Sequence, residues 1–260
     1  MKRILAAALA ALALVGCNQR AVETAERAPP PPVSADVESF NEAQQADIRA
    51  VVRDYLVRDP TVLREALDAL AARAEEERET EIAEDPRSFS IGPADAPVTL
   101  VEFFDYRCPY CHAAMDWVFH VVRTRRDVRV VFKEFPVLGP QSVEASRAAI
   151  ASIKQGRYQQ FHRALMSHRG DLTSDAIDTL ARQQGVDVAR MRRDMDSDEI
   201  TAILQRNREL GAEANVTGTP AFMINGEWVS GFSHPDDLNA ALRAAAEAAR
   251  TRPRSNPQEG

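Results

Sequence analysis

Val98-Thr99-Leu100-Val101-Glu102-Phe103-Phe104-Asp105-Tyr106-Arg107-Cys108-Pro109-Tyr110-Cys111-His112 decides how this chain folds. Its first seven residues are β-branched, aromatic or apolar apart from one acid and one hydroxyl, which predicts a buried strand. From His112 to Arg123 the apolar residues Ala114, Met115, Val118, Phe119 and Val122 recur near helical spacing. Cys108 therefore falls at a strand-to-helix junction, its sulfur facing the first unpaired N–H groups of the helix. That placement stabilises a thiolate and lowers the thiol pKa. Cys111 sits one turn inside, within reach of a disulfide with Cys108.

Three chemistries compete for such a pair. A structural zinc site needs about four ligands, but there is no second Cys-x-x-Cys, and His112, His120, His162, His168 and His234 are scattered. An inert structural disulfide is disfavoured because so short a loop constrains the unfolded chain little. Redox exchange accounts for the pair best. Met115, Met166, Met191, Met195 and Met223 read as core or surface positions rather than copper ligands, so neither a metal nor a cofactor is expected.

Length and composition suit a secreted α/β protein. The 260 residues can hold one well-cored domain and an accessory piece. Met1-Lys2-Arg3 followed by the apolar run Ile4 to Val15 reads as a signal peptide, too short for a membrane span. Residues 1–17 end in Leu14-Val15-Gly16-Cys17, similar to a bacterial lipobox, in which Cys17 becomes a lipidated N-terminus. Ordinary cleavage would instead leave an unpaired thiol in an oxidising compartment, which makes lipidation the better account of the odd cysteine. Removing Lys2 and Arg3 with the leader leaves 30 basic against 39 acidic residues, a balance that offers nucleic acid no general attraction.

Residues 18–37, with Pro29-Pro30-Pro31-Pro32, predict an extended tether. Residues 38–87 predict a helical arm. Ile48, Val51, Val52, Tyr55 and Leu56 make one apolar stripe, and Leu63, Ala66, Leu67, Leu70 and Ala74 make a second after the helix-starting pair Asp59-Pro60. The acidic run Glu75 to Asp85 reads as a solvated helix end and connector. The stripes pack on the same chain or on a second copy, and self-association is the favoured expectation.

Residues 88–250 predict the catalytic domain. Val128–Phe135 is a second strand, and helices are expected over 143–154, 158–167, 173–184, 188–195 and 197–213, an insertion spanning about 140–213. Gly156, Gly170 and Gly185 punctuate it. Ala221–Ile224, a tight Asn225-Gly226 turn and Glu227–Ser230 make a hairpin. A helix over 236–250 closes the domain, and 251–260 is expected to be a disordered tail.

Val101-Glu102-Phe103-Phe104-Asp105 leading into Cys108-Pro109-Tyr110-Cys111, with Gly218-Thr219-Pro220-Ala221-Phe222, Asn225-Gly226 and Gly231 downstream, resembles the DsbA-like branch of the thioredoxin superfamily. The arm, especially Tyr55 to Leu63, resembles the N-terminal segment of its multimeric members, the suppressor-of-copper-sensitivity C and DsbC/DsbG-like group. The resemblance implies an α/β protein with a thioredoxin fold, a helical insertion and an N-terminal helical arm. It also implies a secreted thiol-disulfide oxidoreductase acting through a Cys108 mixed disulfide, with Cys111 resolving it. Thr219-Pro220 would be a cis-proline loop that pairs with an extended substrate segment. Glu102, by that analogy, would accept a proton near Cys111, its pKa raised by burial; a strand-end glutamate reaching solvent is the alternative. Pro109 and Tyr110 shape the helix start, while His112 either adds positive charge near the thiolate or faces solvent.

The expected setting is the periplasm of a Gram-negative bacterium, with attachment through a lipid at Cys17. The expected partners are exported cysteine-containing proteins, a membrane redox partner and further copies of the chain. Isomerase or reductase action is favoured because of the arm. A dithiol oxidase is the alternative, and a non-redox chaperone or copper-handling protein is the more distant one.

Overall fold

The computed structural model describes residues 40–232 and 235–251. The expected leader with Cys17, the tether over 18–37, His234 and residues 252–260 of the expected tail lie outside them. The chain divides after Leu63 into two units.

The first unit holds α1 (Glu42–Arg58) and the start of α2 (Thr61–Glu84). Asn41 and Gln44 form a reciprocal capping box at the start of α1. Asp59 accepts from the Thr61 N–H, so the chain restarts as a helix immediately after Pro60. The stripe residues Ile48, Val51, Val52, Tyr55 and Leu63 are all exposed.

The second unit is built on a five-stranded sheet in the order β1 (Phe89–Ile91), β3 (Val128–Glu134), β2 (Val98–Phe104), β4 (Ala221–Ile224), β5 (Glu227–Ser230). Only β2 and β3 pair in parallel. Parallel neighbours need a crossover, and α3 (Pro109–Thr124) supplies it. The period of two along each strand splits its side chains between two layers. Leu100, Phe104, Val130 and Phe132 share a core with Ala114 and Val118 of α3 and Leu238 and Leu242 of α9 (Pro235–Thr251). Val101, Phe103 and Val131 form the other core with Leu210 and Ile82.

Between β3 and β4 run α4 (Pro140–Ala151), α5 (Tyr158–Ser167), α6 (Ser174–Gln183), α7 (Val188–Met195) and α8 (Asp198–Glu213). Helix α4 starts ahead of the expected Val143 because Pro140 suits a first turn. A 3₁₀ turn at Ile153–Gln155 then ends on Gly156 at φ +66°. Strand β1 went unread, since three residues hold no alternation to detect. The hairpin turn uses positive φ at Asn225 and Gly226. The Asn225 side chain ties it to β2, accepting from the Thr99 N–H at 2.7 Å and donating to the Pro97 carbonyl at 3.1 Å.

The acidic run departs from expectation. It is a helix end as expected, the last turns of α2, but its inner face is seated on the sheet rather than solvated. Ile82 is fully buried among Val101, Phe103 and Val131. Glu81 pairs with Arg206 of α8 at 2.6 Å, and buried Asp85 meets Arg87 at 2.8 Å and the fully buried Lys133 ammonium at 3.3 Å. The run's charge says nothing of its one apolar face, and Arg206 and Lys133, which meet it, come from distant parts of the chain. Ile82→Ala is therefore expected to cost about 2–5 kcal/mol in urea unfolding. Glu76→Ala, on the exposed side, should stay within about 0.5 kcal/mol of the parent.

Candidate active site

Cys108 is the N-cap of α3, with φ −80° and ψ 118°, and Pro109 follows at the first helical position. Its carbonyl accepts the His112 N–H at 3.1 Å, which starts the helix. Only 4% of Cys108 is exposed, Cys111 is fully buried, and both thiols are free. The Thr219–Pro220 peptide bond is cis, and the Cys108 thiol donates to the Thr219 carbonyl at 3.1 Å. The loop expected from resemblance thus lies against Cys108, although 111 residues separate the two in sequence.

Electrostatics set the two sulfurs apart. A hydrogen bond from the Cys111 thiol, joined by the Thr219 hydroxyl and the N–H groups of Cys111 and Tyr110, brings Cys108 down to about 5 against burial. Burial, the bond donated to Cys108 and the Glu102 charge push Cys111 far up. Of the two sulfurs, Cys108 is therefore the one that ionises readily near neutral pH, while Cys111 keeps its proton.

Glu102 stands mid-strand, between Phe132 of β3 and Phe222 of β4, and is 2% exposed. Burial first, then the charges of Cys108 and Glu134, raise it to about 8. The alternative of a carboxylate reaching solvent does not hold. His112 is half-buried, and its Nε2–H donates to the Tyr106 carbonyl at 2.6 Å rather than facing solvent freely. Tyr110 is 66% exposed beside the dithiol, and Val137 and Leu138 are also exposed. A cavity of about 220 Å³ is lined by Val216, Gly218, Thr219, Pro220 and Trp228. Among the described residues, no three His, Cys, Asp or Glu side chains are placed to hold a metal ion.

Asp105 carries no role that its place in the sequence discloses. The buried Asp105 carboxylate accepts from the Arg107, Val137 and Leu138 N–H groups and from the Ser142 hydroxyl, at 2.7 to 2.9 Å. Its own carbonyl accepts the Cys108 N–H at 3.1 Å. One side chain thus fixes the turn that presents Cys108 and ties it to the loop ahead of α4. An acid ending an apolar strand was the available signal; its four donors come together only on folding.

A family model described as Thioredoxin matches residues 84–244, more than half of the chain, and one described as Copper resistance protein ScsC N-terminal domain matches 44–77. A thioredoxin-like oxidoreductase from Silicibacter pomeroyi is similar at 37% identity and TM-score 0.62, covering 65% of this chain and 97% of its own. A Proteus mirabilis ScsC variant with a linker deletion is 29% identical at TM-score 0.63, covering 81% of this chain and 98% of its own. A Na(+)/H(+) antiporter NhaA 1 from Salinispora arenicola is 32% identical over 168 residues, 64% of this chain but 26% of the antiporter. The chain thus spans about a quarter of the curated relatives' length. Among the described residues, no helix is long and apolar enough to cross a membrane.

Proposed function

The chain belongs to the thioredoxin family and is a thiol-disulfide oxidoreductase close to ScsC, and from that premise we propose that it reshuffles or reduces disulfides of exported proteins in the periplasm. The observation that carries this reading is the Cys108 sulfur, held as a thiolate at the start of α3 and facing the Thr219 backbone. In the proposed cycle the Cys108 thiolate attacks a substrate disulfide and expels one substrate thiolate, forming a mixed disulfide. Cys111 then loses its proton to Glu102 and attacks the Cys108 sulfur, releasing the second substrate thiolate. An extended substrate segment pairs with the Thr219 backbone, and Pro109, Tyr110 and His112 hold the helix start in place.

Isomerase or reductase action, kept reduced by a membrane partner, draws support from the unpartnered apolar residues of the arm: Ile48, Val51, Val52, Tyr55, Leu63, Leu67 and Leu70 are all exposed. Several reduced sites around one assembly can hold a misfolded client while its bonds exchange. A lipid at Cys17 would keep that assembly at a membrane surface. The depressed Cys108 pKa favours a second reading, a dithiol oxidase, because a stabilised thiolate makes the disulfide form a stronger oxidant.

Reactivation of scrambled ribonuclease by residues 18–260 in a weak thiol buffer separates the two. Rapid recovery is expected, together with a solution mass of more than one chain. Failure to reshuffle, with fast oxidation of reduced ribonuclease by the disulfide form, establishes the oxidase instead, and a monomeric mass removes the assembly.

A further inference from the structure

Behind the dithiol lies a buried cluster of titratable groups that the cycle above does not use. Glu134 ends β3 and is 3% exposed, and its Oε1 accepts from the Tyr106 and Tyr158 hydroxyls, each at 2.8 Å. The Tyr106 oxygen also lies 3.0 Å from Nδ1 of His162 in α5. Tyr106 is two residues ahead of Cys108. Along the parallel pair, Glu102 stands opposite Phe132 and Phe104 opposite Glu134. Glu134 and Phe132 share a sheet face, so the two carboxyl groups stand two positions apart on adjacent strands, on the same side.

A cavity of about 10 Å³ touches Glu134, Tyr158, Asn207, Ser88 and Phe89, a size that suits a single water. Three atoms of its lining residues, Glu134 Oε2, Asn207 Oδ1 and Ser88 Oγ, are buried without a hydrogen-bond partner. The cavity shares Arg87, Ile150, Ile153 and Ile203 with a pocket of about 360 Å³ at the surface. Glu102 lines neither. Of the two acids, Glu134 is the one that lines this cavity.

We propose that Glu134 is a positioning residue for thiol exchange: it gains and loses its proton through this cavity and thereby sets the pH at which Glu102 accepts the proton of Cys111. The proposal rests on the reading of Glu102 as proton acceptor. A charged Glu134 opposes ionisation of Glu102 across the strand pair, whereas a neutral one permits it. The groups that face Glu134 are consistent with this role. Tyr106, Tyr158 and His162 close it in from the active-site turn and α5. Asp105 adds negative charge from the end of β2, and Arg87, paired with Asp85, lines the cavity. Ser146 and Asn207, from α4 and α8, carry no charge. Lys133 projects to the opposite face, toward Asp85. Burial raises Glu134 to about 8 against the pull of the Ser146, Tyr106 and Tyr158 hydroxyls, and the charge of Glu134 in turn raises Glu102.

The test follows the resolving step of a fluorescent peptide mixed disulfide in residues 18–260, by rapid mixing from pH 5.5 to 9.5. Glu134→Gln is expected to lower the midpoint of that step by about one pH unit, with the first attack by Cys108 unchanged. Tyr158→Phe removes a donor from Glu134, keeps it neutral to higher pH and should shift the midpoint less, in the same direction; it decides the question if Glu134→Gln does not fold. In a Glu102→Gln background neither change should have any further effect. A flat Glu102→Gln profile with Glu134→Gln at the parental midpoint overturns this proposal alone. A Glu102→Gln profile like the parent's overturns the proton-acceptor reading and this proposal with it. Lost stability without a moved midpoint assigns Glu134 a packing role only and overturns the proposal.

Discussion

Cys108→Ser is expected to abolish disulfide exchange, lowering the rate by at least about a thousandfold, because the attacking sulfur is gone and no second group replaces it. Cys111→Ser should instead leave the attack intact and trap Cys108 in mixed disulfides, visible as thiol-sensitive adducts on non-reducing gels. The asymmetry follows from the two environments: Cys108 at about 5 is about 99% thiolate at pH 7, whereas Cys111 is buried and protonated. Alkylation of the reduced protein should therefore occur at Cys108 alone, stay level from pH 6 to 8 and fall away below 5. The sign for stability follows from the same shift. Lowered from an ordinary value of 9.0, Cys108 gives the reduced fold stability that is complete above pH 9 and is lost as pH falls through 5. Equal alkylation of both cysteines at pH 7 would remove the basis for assigning them different roles.

Glu102→Gln should stabilise the reduced protein at alkaline pH and change it little near pH 4. Glu102 titrates near 4.5 when unfolded and near 8 when folded. Between those values the folded state binds the extra proton, so stability falls as pH rises through that window. The interval from 4.5 to about 8, at about 1.4 kcal/mol per pH unit, makes a cost of about 5 kcal/mol at pH 8 and above. Urea unfolding of parent and variant at pH 4, 6 and 8 should show the gap open progressively. Curves that stay parallel across that range would mean that Glu102 reaches water or an unrecognised cation. Such a cost, held at the centre of the sheet, fits a group kept for proton transfer rather than for stability.

Much of this was legible in the residue order. The strand into Cys108, the helix after it, the hairpin around Asn225-Gly226 and most of the insertion's helices are local patterns, each set by side-chain periodicity or turn chemistry within about twenty residues. Glu102 stood out as one acid in an apolar run. The three-residue β1 carried too little pattern, and Glu75 to Asp85 misled because charge along a helix does not reveal which face another element covers.

The order of residues thus specified the elements, the dithiol and its place at a helix start, since these depend on neighbours in the chain. Folding supplied everything that needs a distant partner. It set Thr219 against Cys108, gathered four donors around Asp105, enclosed Glu102 and Glu134 on one sheet face, and seated Ile82 under the acidic end of α2. Burial and the meeting of groups far apart in sequence are properties of the packed sheet. They, rather than the motif, separate a reactive thiolate from a buried thiol one helical turn away.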